Sequence, residues 1–120
     1  MANGYYLPIH AIVYGGGKFV AGGDAGRMAY SLNGITWTSL NTSWTPYTDF
    51  GIYTIAYGGG KFVYGATSGK MGYSSDGEAW TAVSNSRFGS NNNVRAIAYG
   101  GGRFVIVGYG GKIAYSNIIQ

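Results

Sequence analysis

Chemistry needs side chains that can hold, move or donate charge, and this chain of 120 residues carries few of them. Its acids are Asp24, Asp49, Asp76 and Glu78, its only histidine is His10, and it has no cysteine. A glycosidase pair needs two carboxylates facing one sugar. Asp76 sits in a turn signal with Gly77, and Glu78 occurs in one repeat only, which leaves Asp24 with Asp49. A single histidine without a thiol builds neither a nucleophile–base couple nor a histidine-rich metal site. The sequence therefore predicts no enzyme, no metal and no cofactor, and reads His10 as a strand residue near an interface. Glycines 15–17 are not a phosphate loop, because they join two strand-like runs instead of opening a helix.

Residues suited to recognition are more numerous. Trp44, Tyr47, Arg87, Asn91 and Asn92 fall in two irregular polar stretches, 41–51 and 84–93. Aromatic rings stack on the C–H faces of sugars, while amides and a guanidinium bond to hydroxyls. Variable loops on a rigid repeat scaffold are where recognition usually sits. Arg27, Lys70 and Lys112 complete the candidate set. The competing reading folds Trp44 and Phe88 inward or into a subunit contact, where aromatics are also enriched. The net charge of +4 does not by itself point to nucleic acid. Six of the eight basic residues are Lys18, Lys61, Arg103, Arg27, Lys70 and Lys112, at fixed repeat positions, which reads as solvated strand ends.

The elements that must position these residues come from a repeat. Tyr14-Gly15-Gly16-Gly17-Lys18-Phe19-Val20 returns at Tyr57–Val63 and again, with arginine, at Tyr99–Val105. The spacings are 43 and 42 residues, a period that marks an array of one supersecondary unit. Each unit reads as four short strands. The first covers 9–14, 52–57 and 94–99, and the second 18–21, 61–64 and 103–107. The third covers 27–31, 70–74 and 112–116, and the fourth 35–40 and 78–83. Glycine triplets supply the first turns. Asn33-Gly34 and Asp76-Gly77 predict two-residue type I′ hairpins between third and fourth strands. No stretch shows a capped 3.6-residue apolar period, so the chain is all-β.

Side-chain size is graded along the unit. The first strand carries small residues on one face, as in Ala11/Val13, Thr54/Ala56 and Ala96/Ala98, and the later strands carry Phe19, Phe62, Phe104, Trp37 and Trp80. Sheets arranged around an axis need small residues near it and bulk farther out. The gradient predicts a β-propeller of four-stranded blades, with units of about 9–51, 52–93 and 94–120 in a single domain 1–120. The β-trefoil and β-prism are the alternative folds.

The segments from Ser31 to Trp37 and from Ser74 to Trp80 resemble the Asp-box turn of sialidase-like propeller repeats of bacterial and phage proteins. This sequence has one residue fewer between Asp and Gly. The resemblance spans nearly the whole chain, and it implies that Asp76 and Asn33 serve the turn structurally. Residues 3–8 align with 33–38, so 2–8 reads as a displaced outer strand that completes the third blade of another copy. Three blades are too few to surround an axis, and two chains give six. The expected molecule is a homodimeric, non-enzymatic propeller that recognises a surface ligand, with carbohydrate favoured, as a lectin or a phage adhesion or decoration protein does. A purely structural assembly protein is the alternative. With neither a signal peptide nor an apolar run long enough for a span, a cytoplasmic or virion-associated place is favoured.

Overall fold

The computed structural model describes residues 8–40, 51–83 and 93–116. They form three antiparallel sheets. The first consists of β1 (Ile9–Gly15), β2 (Lys18–Gly23), β3 (Met28–Ser31) and β4 (Thr38–Ser39), paired in chain order. The second repeats it with β5 (Ile52–Gly58), β6 (Lys61–Ala66), β7 (Met71–Ser74) and β8 (Thr81–Ala82). Among the described residues the third has three strands, β9 (Val94–Gly100), β10 (Arg103–Gly108) and β11 (Lys112–Ser116).

Among the described residues, the first two turns of every unit are of the type I′ kind. Gly16 and Gly17, between β1 and β2, have φ of 57° and 85°, and the second and third units repeat this. Positive φ at both central residues matches the right-handed twist of the flanking strands. The turn between second and third strands does the same with Ala25 (59°) and Gly26 (65°), Ser68 (58°) and Gly69 (71°), and Gly110 (77°) and Gly111 (74°).

The third turn departs from the type I′ expectation. Only its glycines have positive φ, 77° at Gly34 and 80° at Gly77. Asn33 and Asp76 keep ordinary backbone because their side chains are used as acceptors. Asp76 Oδ1 accepts the N–H of Glu78 at 2.8 Å and of Ala79 at 2.9 Å. The Ser74 hydroxyl accepts the N–H of Asp76 and Gly77 and donates to Asp76 Oδ1 at 3.0 Å. Asn33 and Ser31 make the same set in the first sheet. Side-chain bonds that satisfy consecutive N–H groups hold an irregular loop. The loop consumes residues expected to pair, and the outer strands shrink to Thr38–Ser39 and Thr81–Ala82.

The core lies between sheets. Strand β5 packs beside β1 on one side and β9 on the other. Val20 and Met28 of the first sheet meet Ile52, Ile55, Phe62, Tyr64 and Trp80 of the second. Ala56, Val63 and Met71 of the second meet Val94, Phe104 and Ile106 of the third. Each large side chain so buried contributes roughly 1.5–3 kcal/mol.

The small residues of the first strands occupy one face only. Bulk is also present on the first strands, as tyrosines seated on glycines. A Cβ on Gly15 would overlap the Tyr57 ring, and one on Gly58 would overlap the Tyr99 ring. Both junctions gain polar ties: Lys18 Nζ reaches Glu78 Oε2 at 2.7 Å, and Ile97 N–H donates to Thr54 Oγ1 at 3.2 Å. Lys18, Lys61 and Arg103 are more than solvated strand ends, since each stands over a tyrosine ring, Tyr30, Tyr73 and Tyr115, at 5.3, 5.8 and 5.1 Å. Pro8, the last residue of the expected displaced strand, stands at the start of β1, its carbonyl accepting Asp24 N–H at 3.1 Å. Residues 2–7 lie outside the described residues.

Candidate binding face

One end of the molecule gathers the turns between second and third strands. The residue ahead of each first strand closes onto them. Pro8 accepts from Asp24, Gly51 from Thr67 at 3.0 Å and Asn93 from Tyr109 at 3.0 Å. Thr67 Oγ1 also accepts Gly51 N–H, and Asn93 Oδ1 accepts Ser68 N–H, both at 2.9 Å. The second of these bonds ties the residue just ahead of β9 to the turn of the second sheet. Gly51 and Asn93, the last residues of the 41–51 and 84–93 stretches, are thus fixed on the same face as these turns.

Each first strand carries a β-bulge at this end. Ile9 pairs with Gly23 and Ala11 with Gly22, so His10 is an extra residue. Tyr53 is the extra residue between Ile52 and Thr54, and Arg95 between Val94 and Ala96. A bulge frees one residue from the pairing ladder and re-aims its side chain, and bulges are over-represented beside functional sites. Here the device occurs three times and presents three different side chains in a row. The His10 and Tyr53 rings lie 5.3 Å apart, inclined by 51°. The Arg95 guanidinium stands 5.8 Å from the Tyr53 ring centre, within cation–π range. Asp24 Oδ1 bonds His10 Nε2 at 2.8 Å and fixes the ring.

The row presents a π face, a guanidinium, an imidazole and a carboxylate on a partly exposed surface. Such a set binds polar groups by hydrogen bonds and stacking. Among the described residues, no three His, Cys, Asp or Glu side chains converge as metal ligands do.

The structure places Arg27, Lys70 and Lys112 at the same end, each as the last residue of its turn. Their backbones close it: Arg27 N–H donates to the Asp24 carbonyl at 3.3 Å and Lys70 N–H to that of Thr67 at 3.2 Å. Lys112 is exposed, while Arg27 and Lys70 are half-buried. Trp44, Tyr47, Arg87, Asn91 and Asn92 lie outside the described residues. Tyr53 and Arg95 were absent from the sequence-derived set. The available signal was positional: His10, Tyr53 and Arg95 occupy the second residue of each first strand, at the repeat spacings of 43 and 42. Periodicity alone does not show that this position is bulged.

No protein-family model matches the chain, and no curated protein does. Among solved structures, one described as "YCF48 bound to D1 peptide" superposes with a TM-score of 0.77 over 92% of this chain, at 14% identity. YCF48 is a β-propeller. The fold is that of a β-propeller. Its blades are the three sheets, and the trefoil and prism alternatives fall. The chain spans 37% of the length of that structure, so it amounts to part of a propeller ring.

Proposed function

We propose that this chain is a non-enzymatic binding module of the propeller type, that two copies make a six-bladed ring, and that its ligand is a carbohydrate. The observation that carries the binding role is the row of bulged residues, His10, Tyr53 and Arg95. A scaffold built from near-identical units repeats its backbone device three times and varies only the side chain it displays. Carbohydrate fits a face that offers an aromatic surface beside cationic and amide donors, with Trp44, Tyr47, Arg87, Asn91 and Asn92 in the stretches that lead onto it. A lectin or a phage adhesion or decoration protein is the setting this favours, in line with the resemblance to sialidase-like repeats.

A glycan array with the intact chain tests the ligand class. We expect a hit that Tyr53→Ala and Arg95→Ala each weaken at least tenfold with no change in circular dichroism. Binding that is indifferent to both changes moves the site off this face. The solved neighbour was captured with a peptide, so a peptide panel run in parallel distinguishes that class. A chain that ignores both sugars and peptides while forming a stable ring is a structural assembly protein.

A further inference from the structure

The two junctions inside the chain follow one template. In each, the first strand of the later blade lays an aliphatic residue and a tyrosine over a glycine-bearing edge of the earlier blade. At the first junction Ile52, Ile55 and Tyr57 cover Gly15 and Gly22, and Gly77 lies against Val20 and Lys18. At the second, Val94 and Tyr99 cover Gly65 and Gly58. The same positions are bare at the two outward faces. Ile12 is 62% exposed where its equivalent Ile55 is 7% exposed. Tyr14, the equivalent of Tyr57 and Tyr99, is 58% exposed. On the third blade Val105 is 39% exposed, whereas Val20 and Val63 are at 0%. Ile113 is 73% exposed, whereas Met28 and Met71 are at 2% and 4%. A Cβ on Gly100, the equivalent of Gly15 and Gly58, would meet nothing.

One outward face is therefore the covering half of the template and the other is the covered half. Large apolar residues left bare on two sides of one molecule mark an interaction surface. We infer that the occupant of each is a second copy of this chain, seated head to tail, with Tyr14 of one copy over Gly100 of the next. Ile35 and Gly34 then approach Arg103 and Val105, as Glu78 and Gly77 approach Lys18 and Val20, while Ile9 and Ile12 face Val107, which stands where the covered blades carry Gly22 and Gly65, so the seam departs from the template there. The inference rests on the oligomeric part of the proposed function and adds the residues of the seam. It needs no exchange of strands between copies.

The chain has no cysteine, which makes cross-linking unambiguous. Tyr14→Cys and Gly100→Cys are prepared as separate proteins, then mixed under mild oxidation. Each variant alone has both seams damaged. In the mixed pair one seam is native, Tyr14 on Gly100, and the other brings the two thiols together in the space of the missing ring. We expect a covalent species at twice the 12.7 kDa chain mass in the mixture and none in either variant alone. Ile12→Glu, on a face exposed in the single chain, should keep the native circular dichroism and halve the solution mass. A wild-type oligomer without the mixed cross-link overturns this seam and leaves the oligomeric reading standing. A wild-type monomer overturns both. A cross-link in Tyr14→Cys alone shows a head-to-head contact and overturns the geometry. A trimer with the mixed cross-link keeps the seam and removes the six-blade count.

Discussion

Asp76 and Asn33 perform one task with different charge. Each directs a side-chain oxygen at two consecutive N–H groups, and each accepts a hydrogen bond from a serine hydroxyl. Those donors, first the N–H of Ala79 and then that of Glu78, hold the Asp76 carboxyl below its ordinary range. A lowered native value means that this carboxylate stabilises the fold fully above its unfolded value, near 3.9, and less as pH falls through the native one. Asp76→Asn should therefore be close to neutral at pH 7, because asparagine already serves at position 33. It should also flatten the loss of stability below about pH 4, which denaturant midpoints across pH will check. The neighbouring glycines differ in another way. Gly34 and Gly77 both need positive φ, which costs a side-chain-bearing residue about 1–2 kcal/mol. A Cβ at Gly77 would also press on Val20 at 3.0 Å and on Lys18 and Phe62 at 3.2 Å, whereas one at Gly34 meets only the Phe19 ring edge, at 3.2 Å. Gly77→Val should cost about 3 kcal/mol or more, and Gly34→Val clearly less, in urea unfolding.

Among elements, the first strand does most to set the architecture, since it forms every junction. The contrast to test is between equivalent glycines. Gly58→Ala drives a methyl into the Tyr99 ring and should cost about 1–3 kcal/mol, the usual range for overpacking. Gly100→Ala should leave intrinsic folding almost unchanged and lower the solution mass instead, a split that unfolding curves beside sedimentation will read. The strands and their order were legible because glycine turns and alternation are local properties. Outer-strand length was not, because the competition between a side-chain acceptor and strand pairing at Asn33 and Asp76 is settled by geometry. Nor was the row of bulged residues: His10, Tyr53 and Arg95 differ in type, so no motif unites them. What unites them is the bulge, a matter of register between paired strands. The residues singled out in the long stretches, Trp44 and Arg87 among them, were chosen by composition, which places a residue on a loop but not on a surface.

At the scale of the whole molecule, the repeat spacing declared an array, and the size gradient declared blades around an axis. Both follow from covalent order, so a single chain displays them. In the proposed ring, what completes it is a second copy, held by contacts and not by the chain. Its place shows as Ile12, Tyr14, Val105 and Ile113 standing exposed where their counterparts are packed or better covered. One consequence concerns cooperativity. Apolar clusters sit between sheets, so free energy resides in junctions and not in blades. An open row of three blades has two junctions. In a closed two-chain ring every blade has two neighbours, which makes three junctions per chain. Closure thus adds half as many again without a new residue, and this share depends on protein concentration. For such a molecule dilution acts as a denaturant: the end blades would lose their cover first, while the middle blade, held on both sides within its own chain, would be the last to open.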